Sequence, residues 1–383
     1  MRKIIPYFMV IFILSCTHRS GDQYQGSTED YRPSPNMVKH AKGFNMGTYK
    51  GRTVLSIQNP WQGVKHVQYN YILVEAGDSL DDLPASFIPV TVPVKQVICT
   101  STTHIAMLDA LGEVNSIIGI SGKKLVSNKE VRKNIKNNKV IDIGYDQNMD
   151  FETILSLQPD LIFSYGITGE NISYLNKLKE LGIKVVMNAE YLENTPLGKA
   201  EWIKFMAEFY GKRKMGGFIF DTIENKYNNL LELTANIKSK PVVMSGLPWK
   251  DAWYVPGGNS FAANFIEHAG GRYIWHDNEN NEAIPLDIEA VVNKAINAEI
   301  WINPGAAMNL DDILSVDERL KNIKALKQGE VYNNNARLTK REGNDYWESG
   351  VINPQVILQD LIKIFHPGLL PGHELVYYQL IAD

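Results

Sequence analysis

Arg2 and Lys3 precede an unbroken apolar run over 4–14, and mostly polar residues then follow to position 48. Beyond that point apolar residues return in short, regularly spaced blocks. Residues 53–59 and 67–75 alternate around the turn Asn59-Pro60-Trp61-Gln62-Gly63, which predicts two β-strands. Residues 94–99 form an apolar β-type run. Ser101, Thr102 and Thr103 then offer capping hydroxyls to a helix over 104–111 that Gly112 stops. Strand-like blocks at 116–120, 140–143, 161–165 and 184–187 alternate with helix-like segments at 128–137, 150–157 and 171–181. Strand, helix, strand at this spacing predicts an α/β lobe with a mainly parallel sheet.

The rhythm breaks over 197–236, which reads as helical except at Gly211 and the Gly216-Gly217 pair. Residues 212–235 can form one helix of about 36 Å, long enough to join two lobes. Alternation then resumes with a strand at 241–245, helices at 260–269 and 287–295, and a strand at 299–303. Helices at 311–314 and 317–325, a strand at 330–332 and a long helix at 354–365 complete it. Asp150-Phe-Glu152 and Asp287-Ile-Glu289 echo one another: each opens a short amphipathic helix that leads into an apolar strand, one in each half of the chain. The fold expected is α/β, with two lobes of mainly parallel sheet joined by one long backbone helix and preceded by a β-rich extension. The boundaries expected are a signal peptide at 1–15, a flexible tether at 16–48, the β-rich extension at 49–90, an N-terminal lobe at 91–210, the joining helix at 211–237 and a C-terminal lobe at 238–383.

Composition narrows the class. At 383 residues the chain can bury a core without disulfide staples. A net charge of −4 provides no global basic field, and no basic stripe with interleaved aromatics occurs, which argues against nucleic-acid binding. The apolar run 4–14 spans only about 16 Å as a helix, half of a hydrocarbon core, so it reads as the h-region of an export signal. It ends in Ile13-Leu14-Ser15-Cys16, which resembles the lipobox of bacterial lipoproteins; that resemblance implies lipidation of Cys16 and a site in the cell envelope, on the outer face of a bacterial membrane. The second of the two cysteines, Cys99, sits in a strand-like run and reads as buried and inert.

Motifs of catalysis are missing. No Gly-x-Ser-x-Gly elbow, phosphate-cradling Gly-x-x-x-x-Gly-Lys-Ser/Thr or Gly-x-Gly-x-x-Gly occurs, and the eight His form no close ligand pair. The order of signal, lipobox, tether, lobe, long helix and lobe resembles the helix-backboned (class III) substrate-binding proteins of bacterial ABC importers, which bind cobalamin, ferric siderophores and haem. Ala110-Leu111-Gly112, Ile117-Ile118-Gly119-Ile120, the segment from Phe151-Glu152-Thr153-Ile154-Leu155 through Pro159-Asp160-Leu161-Ile162, and His268-Ala269-Gly270-Gly271 carry the resemblance over roughly residues 90–366. It implies a non-enzymatic, monomeric receptor with no intrinsic cofactor, a metal chelate as cargo and the ABC permease as partner. It also implies that Glu152 and Glu289 dock onto that permease. The extension at 49–90 has no counterpart in the family. The other readings are a chelatase-like or hydrolytic enzyme on a similar scaffold and a free Zn/Mn-binding protein.

Ligands of open α/β sheets bind at the C-terminal strand ends. That rule offers Ser101, Thr102, Thr103, His104, Lys123, Tyr145 and Tyr165 in lobe one. In lobe two it offers Trp249, Lys250, Trp253, Tyr254, Asn303, Asn335, Arg337 and Trp347. The aromatics suit large planar or macrocyclic ligands, and Lys123 and Arg337 suit anionic chelates. His104 either ligates a cargo metal as an axial donor or caps and packs.

Overall fold

The computed structural model describes residues 30–145, 149–166, 169–250, 252–341 and 343–382. The signal segment and Cys16 lie outside them. The chain opens with a five-stranded sheet in the order β1 (Tyr31–Pro33), β2 (Phe44–Tyr49), β3 (Arg52–Gln58), β4 (Gln68–Glu75) and β5 (Phe87–Val92). Its pairs are antiparallel apart from the parallel β4–β5 pair. Side chains alternate across the sheet, and both faces are covered. Phe44, Met46, Leu55, Ile57, Tyr71 and Leu73 join the main core, while Tyr49, Val54, Ile72 and Phe87 form a small cluster on the other face.

Lobe one follows as β6 (Val97–Cys99), α1 (Thr102–Ala110), β7 (Ile117–Ile120), α2 (Lys129–Lys136), β8 (Ile141–Asp142), α3 (Phe151–Leu157), β9 (Leu161–Ser164), α4 (Gly169–Glu180), β10 (Val185–Met187) and α5 (Pro196–Glu208). Its strands run parallel in the order β10-β9-β6-β7-β8. The central ones are buried on both faces, as the apolar runs require. Cys99 is buried there with its thiol pKa pushed up by burial.

The joining helix is α6 (Arg213–Thr234), 22 residues and about 33 Å long. It packs beside α5 at one end and beside the last helix at the other. The Gly216-Gly217 pair does not break it. A Cβ on Gly216 would meet the Ala207 Cβ at 2.5 Å, so this glycine lets α6 lie against α5. Lobe two comprises β11 (Val242–Ser245), β12 (Trp253–Val255), α7 (Phe261–His268), β13 (Arg272–Tyr273), β14 (Ile284–Leu286), α8 (Ile288–Ala295), β15 (Ile300–Ile302), α9 (Leu310–Val316), α10 (Lys324–Gln328), β16 (Val331–Asn333), α11 (Pro354–Phe365) and β17 (Gln379–Leu380). Its sheet runs β13-β11-β15-β16-β17, parallel except for β17, and β12 and β14 form a separate antiparallel ribbon. The helix expected over 317–325 is instead a 3₁₀ turn, Glu318–Asn322, followed by α10.

One expectation is corrected. Residues 30–48, read as the end of a tether, are built into the fold. The fully buried carboxylate of Glu201 on α5 accepts the backbone N–H groups of Lys39, His40 and Ala41 at 2.9, 2.6 and 2.8 Å. Glu193 does the same for Lys42 and Gly43 at 2.9 and 2.8 Å. Phe44 then packs on Trp202 and Phe205, with ring centroids 4.8 and 5.5 Å away. Polar composition signals disorder only when nothing satisfies the backbone, and here two buried carboxylates do so.

Candidate functional site: the cleft between the lobes

Loops that leave the C-terminal ends of parallel strands make the walls of a site. In this molecule the two sets of loops meet. At one end, Asn264 Nδ2 on α7 donates to the carbonyl of Asn194, beyond β10, at 3.1 Å, and the Lys199 ammonium lies 4.9 Å from the Phe261 ring centroid. At the other end, the N–H groups of Ser127 and Asn128, entering α2, donate to the Glu348 carboxylate at 2.7 and 2.6 Å. There Gly343 approaches so closely that a Cβ would stand 2.6 Å from the Leu125 carbonyl oxygen. These two bridges bracket the cleft.

Its lobe-one wall begins at the entry to α1. Ser101 is the helix cap, accepting from the Thr103 N–H at 3.3 Å. The Thr103 hydroxyl donates to Glu190 Oε1 at 2.7 Å, and Glu190 Oε2 stands 3.7 Å from Lys199 Nζ. Thr102 is half-buried as the first residue of α1. His104 does not line this wall. It is wholly buried with its ring edge toward Phe163, and neither ring nitrogen makes a hydrogen bond of good geometry. Burial drives its pKa down to about 3, against a weaker opposing pull from the Phe163 backbone. The axial-ligand role is withdrawn on that ground.

The other lobe-one candidates sit at strand ends. Lys123 lies 3.7 Å from Asp142 and lines a cavity of about 690 Å³ with Lys129, Arg132 and Arg341. Tyr145 is 45% exposed beside Gly122. Tyr165 meets Tyr191 edge-on, with centroids 6.1 Å apart.

Lobe two divides. Trp249 and Tyr254 are exposed, at 64% and 50%, and the Lys250 ammonium lies 4.2 Å from the Trp249 ring centroid. Trp347 is exposed next to the buried Tyr346. Arg337 Nε pairs with Asp345 Oδ2 at 2.7 Å and borders a cavity of about 940 Å³ between α1, the start of α2 and the segment 337–353. Asn303 holds a left-handed backbone (φ 54°) at the end of β15. Trp253 and Asn335 are corrected: both are buried. Trp253 packs on Trp301 with ring centroids 5.9 Å apart. Asn335 accepts from Gln379 at 2.7 Å and turns its amide toward the 307–308 loop.

The sequence reading missed Glu190 and Tyr191, which the strand-end rule applied to β10 would have reached, and Glu348, whose partners lie in the other lobe. Glu152 and Glu289 occupy equivalent places: each is exposed in the first turn of its helix, behind the caps Asp150 and Asp287. Among the described residues no group of three or more His, Cys, Asp or Glu could hold a metal ion.

A family model described as periplasmic binding protein matches residues 97–338. The chain belongs to the periplasmic binding protein family. As such it is a non-enzymatic, extracytoplasmic transport component, the substrate-binding protein of an ABC importer. A binding protein of this shape has solved counterparts. One is the haem-binding protein RhuT of Roseiflexus, with TM-score 0.54 and 19% identity, covering 72% of this chain and 99% of that one. Another belongs to a Fe³⁺-hydroxamate transport system of Saccharomonospora viridis, with TM-score 0.53 and 14% identity, covering 72% and 94%. At such identities the likeness is one of fold. A relative that matches over most of both chains is an uncharacterized lipoprotein of Methanocaldococcus jannaschii, 29% identical over 89% of this chain and 84% of its own. That relative is archaeal, so a bacterial membrane, as the lipobox resemblance implied, is not supported.

Proposed function

We propose that this binding protein captures a metal-chelate nutrient (ferric siderophore, haem or corrinoid) between its lobes, is held to the membrane by a lipid on Cys16, and docks through Glu152 and Glu289 onto its permease. The observation that carries the reading is the set of large aromatics left uncovered on the strand-end segments and on the β12–β14 ribbon. Tyr145, Tyr254, Trp347 and Trp249 are 45–64% exposed. Such rings offer flat apolar surface, and together they suit a large planar or macrocyclic partner. Lys123, Lys250 and Arg337 add positive charge for the carboxylates of an anionic chelate. With His104 sealed in the core, recognition rests on the chelate's faces and charges rather than on a histidine donor to its metal.

The test is spectroscopic. The purified protein is mixed separately with haemin, cyanocobalamin and ferrioxamine B, desalted and scanned in the visible. One retained chromophore, chemically unchanged, supports the reading and names the class. A chromophore returned altered would favour the enzyme alternative, and loss of all three would contradict capture.

A further inference from the structure

The N-terminal sheet reaches the strand ends of lobe one. Its β3–β4 turn carries Trp61, and that indole packs over Gly166, the second residue beyond β9. A Cβ on Gly166 would lie 3.4 Å from the Trp61 Cβ, 3.5 Å from Met187 Cε and 3.7 Å from Trp61 Cε3. The next residue, Gln62, hydrogen-bonds through its backbone to the Tyr191 hydroxyl, which itself donates to the Gly166 carbonyl. Tyr191 in turn meets Tyr165 edge-on. Aromatic side chains from three separate segments therefore converge where β9 and β10 end, beside the bridge between Asn194 and Asn264.

This placement is enforced. The turn is closed by Asn59 N–H donating to the Val67 carbonyl at 2.8 Å, and Asn59, Gly63 and His66 take left-handed backbone to make it. The sheet beneath it is fixed to lobe one by the Tyr71 hydroxyl, which accepts the Met187 N–H at 2.9 Å, and by Phe44 on α5. Trp61 keeps part of its surface open, with Tyr69 at 6.3 Å between centroids on its other side. A hairpin turn needs no tryptophan to fold; polar turn residues serve as well.

We propose that Trp61 is part of the wall that receives the cargo, and that it favours ligands presenting an aromatic or conjugated face. The inference rests on the binding reading above. It gives the extra sheet a role: a third contributor to a site otherwise built from two lobes.

The test titrates wild type, Trp61→Phe, Trp61→Leu and Trp61→Ala with haemin, ferrioxamine B and cyanocobalamin, and records the melting temperature of each protein. For the chelate that wild type binds, Trp61→Ala is expected to weaken affinity roughly tenfold, and Trp61→Phe less than about threefold. Trp61→Leu keeps apolar bulk in the turn but offers no conjugated face, so it is expected to bind as weakly as the alanine variant while melting like wild type. Wild-type affinity in Trp61→Leu overturns the proposal and leaves the binding reading intact. No binding of any chelate by wild type overturns both.

Discussion

Single carboxylates do more of the structural work here than motif reading suggests. Glu348 is buried, and burial lifts its pKa from 4.5 to about 7, although the two N–H groups that it accepts pull the other way. Between these values the folded protein holds a proton that the unfolded chain has released. The stability Glu348 contributes is therefore fully present below pH 4.5 and is lost as pH rises through about 7. Glu348→Gln removes that term. The melting temperature of wild type is expected to fall relative to Glu348→Gln across this window, and parallel curves would show that the clasp does not titrate. His104 carries the opposite lesson. A strand-to-helix loop suggested a place in the cleft, but each helical residue turns the side chain by about 100°. Ser101 to Thr103 keep the loop side, while His104 is carried inward against Phe163. A Glu whose partners lie 221 residues away, as in the Glu348–Ser127 bond, is not legible from local pattern at all.

At the scale of elements, the period of the apolar pattern carried most of the information. Helix α6 was legible to within a residue or so because its amphipathic repeat runs for several turns. Most parallel strands were equally legible, as apolar blocks between helices, but β5 and the two-residue β13 were not, since neither forms an apolar block set between helix signals. The segment 30–48 was not, because the carboxylates that hold it sit on and just before α5, far along the chain. The two glycines of α6 make a paired prediction. Gly216→Ala forces a Cβ against Ala207 and should destabilise by about 1–3 kcal/mol. Gly217 has open space around it, so Gly217→Ala should stabilise by roughly 0.5–1 kcal/mol. Denaturant unfolding of both variants checks this, and equal effects would mean that α5 and α6 are not in close contact.

For the whole molecule, a single 22-residue helix joins the lobes, and under the proposed docking a permease reads the loaded protein through surface charges on both of them. Glu152 and Glu289, one per lobe, fit that task on rigid helix starts. The double change Glu152→Arg with Glu289→Arg should abolish uptake in cells while leaving the affinity for the chelate unchanged; undiminished uptake would remove both from docking. The added sheet marks this protein off from two-lobed scaffolds, since it packs into the main core and brings its own aromatic to the strand ends of lobe one. The proposed function holds one cargo molecule between the two lobes. Equilibrium titration of the purified protein with the chelate retained after desalting addresses it most directly. Saturation at one chelate per chain is the expected result, and non-saturating uptake or two equivalents per chain would contradict it.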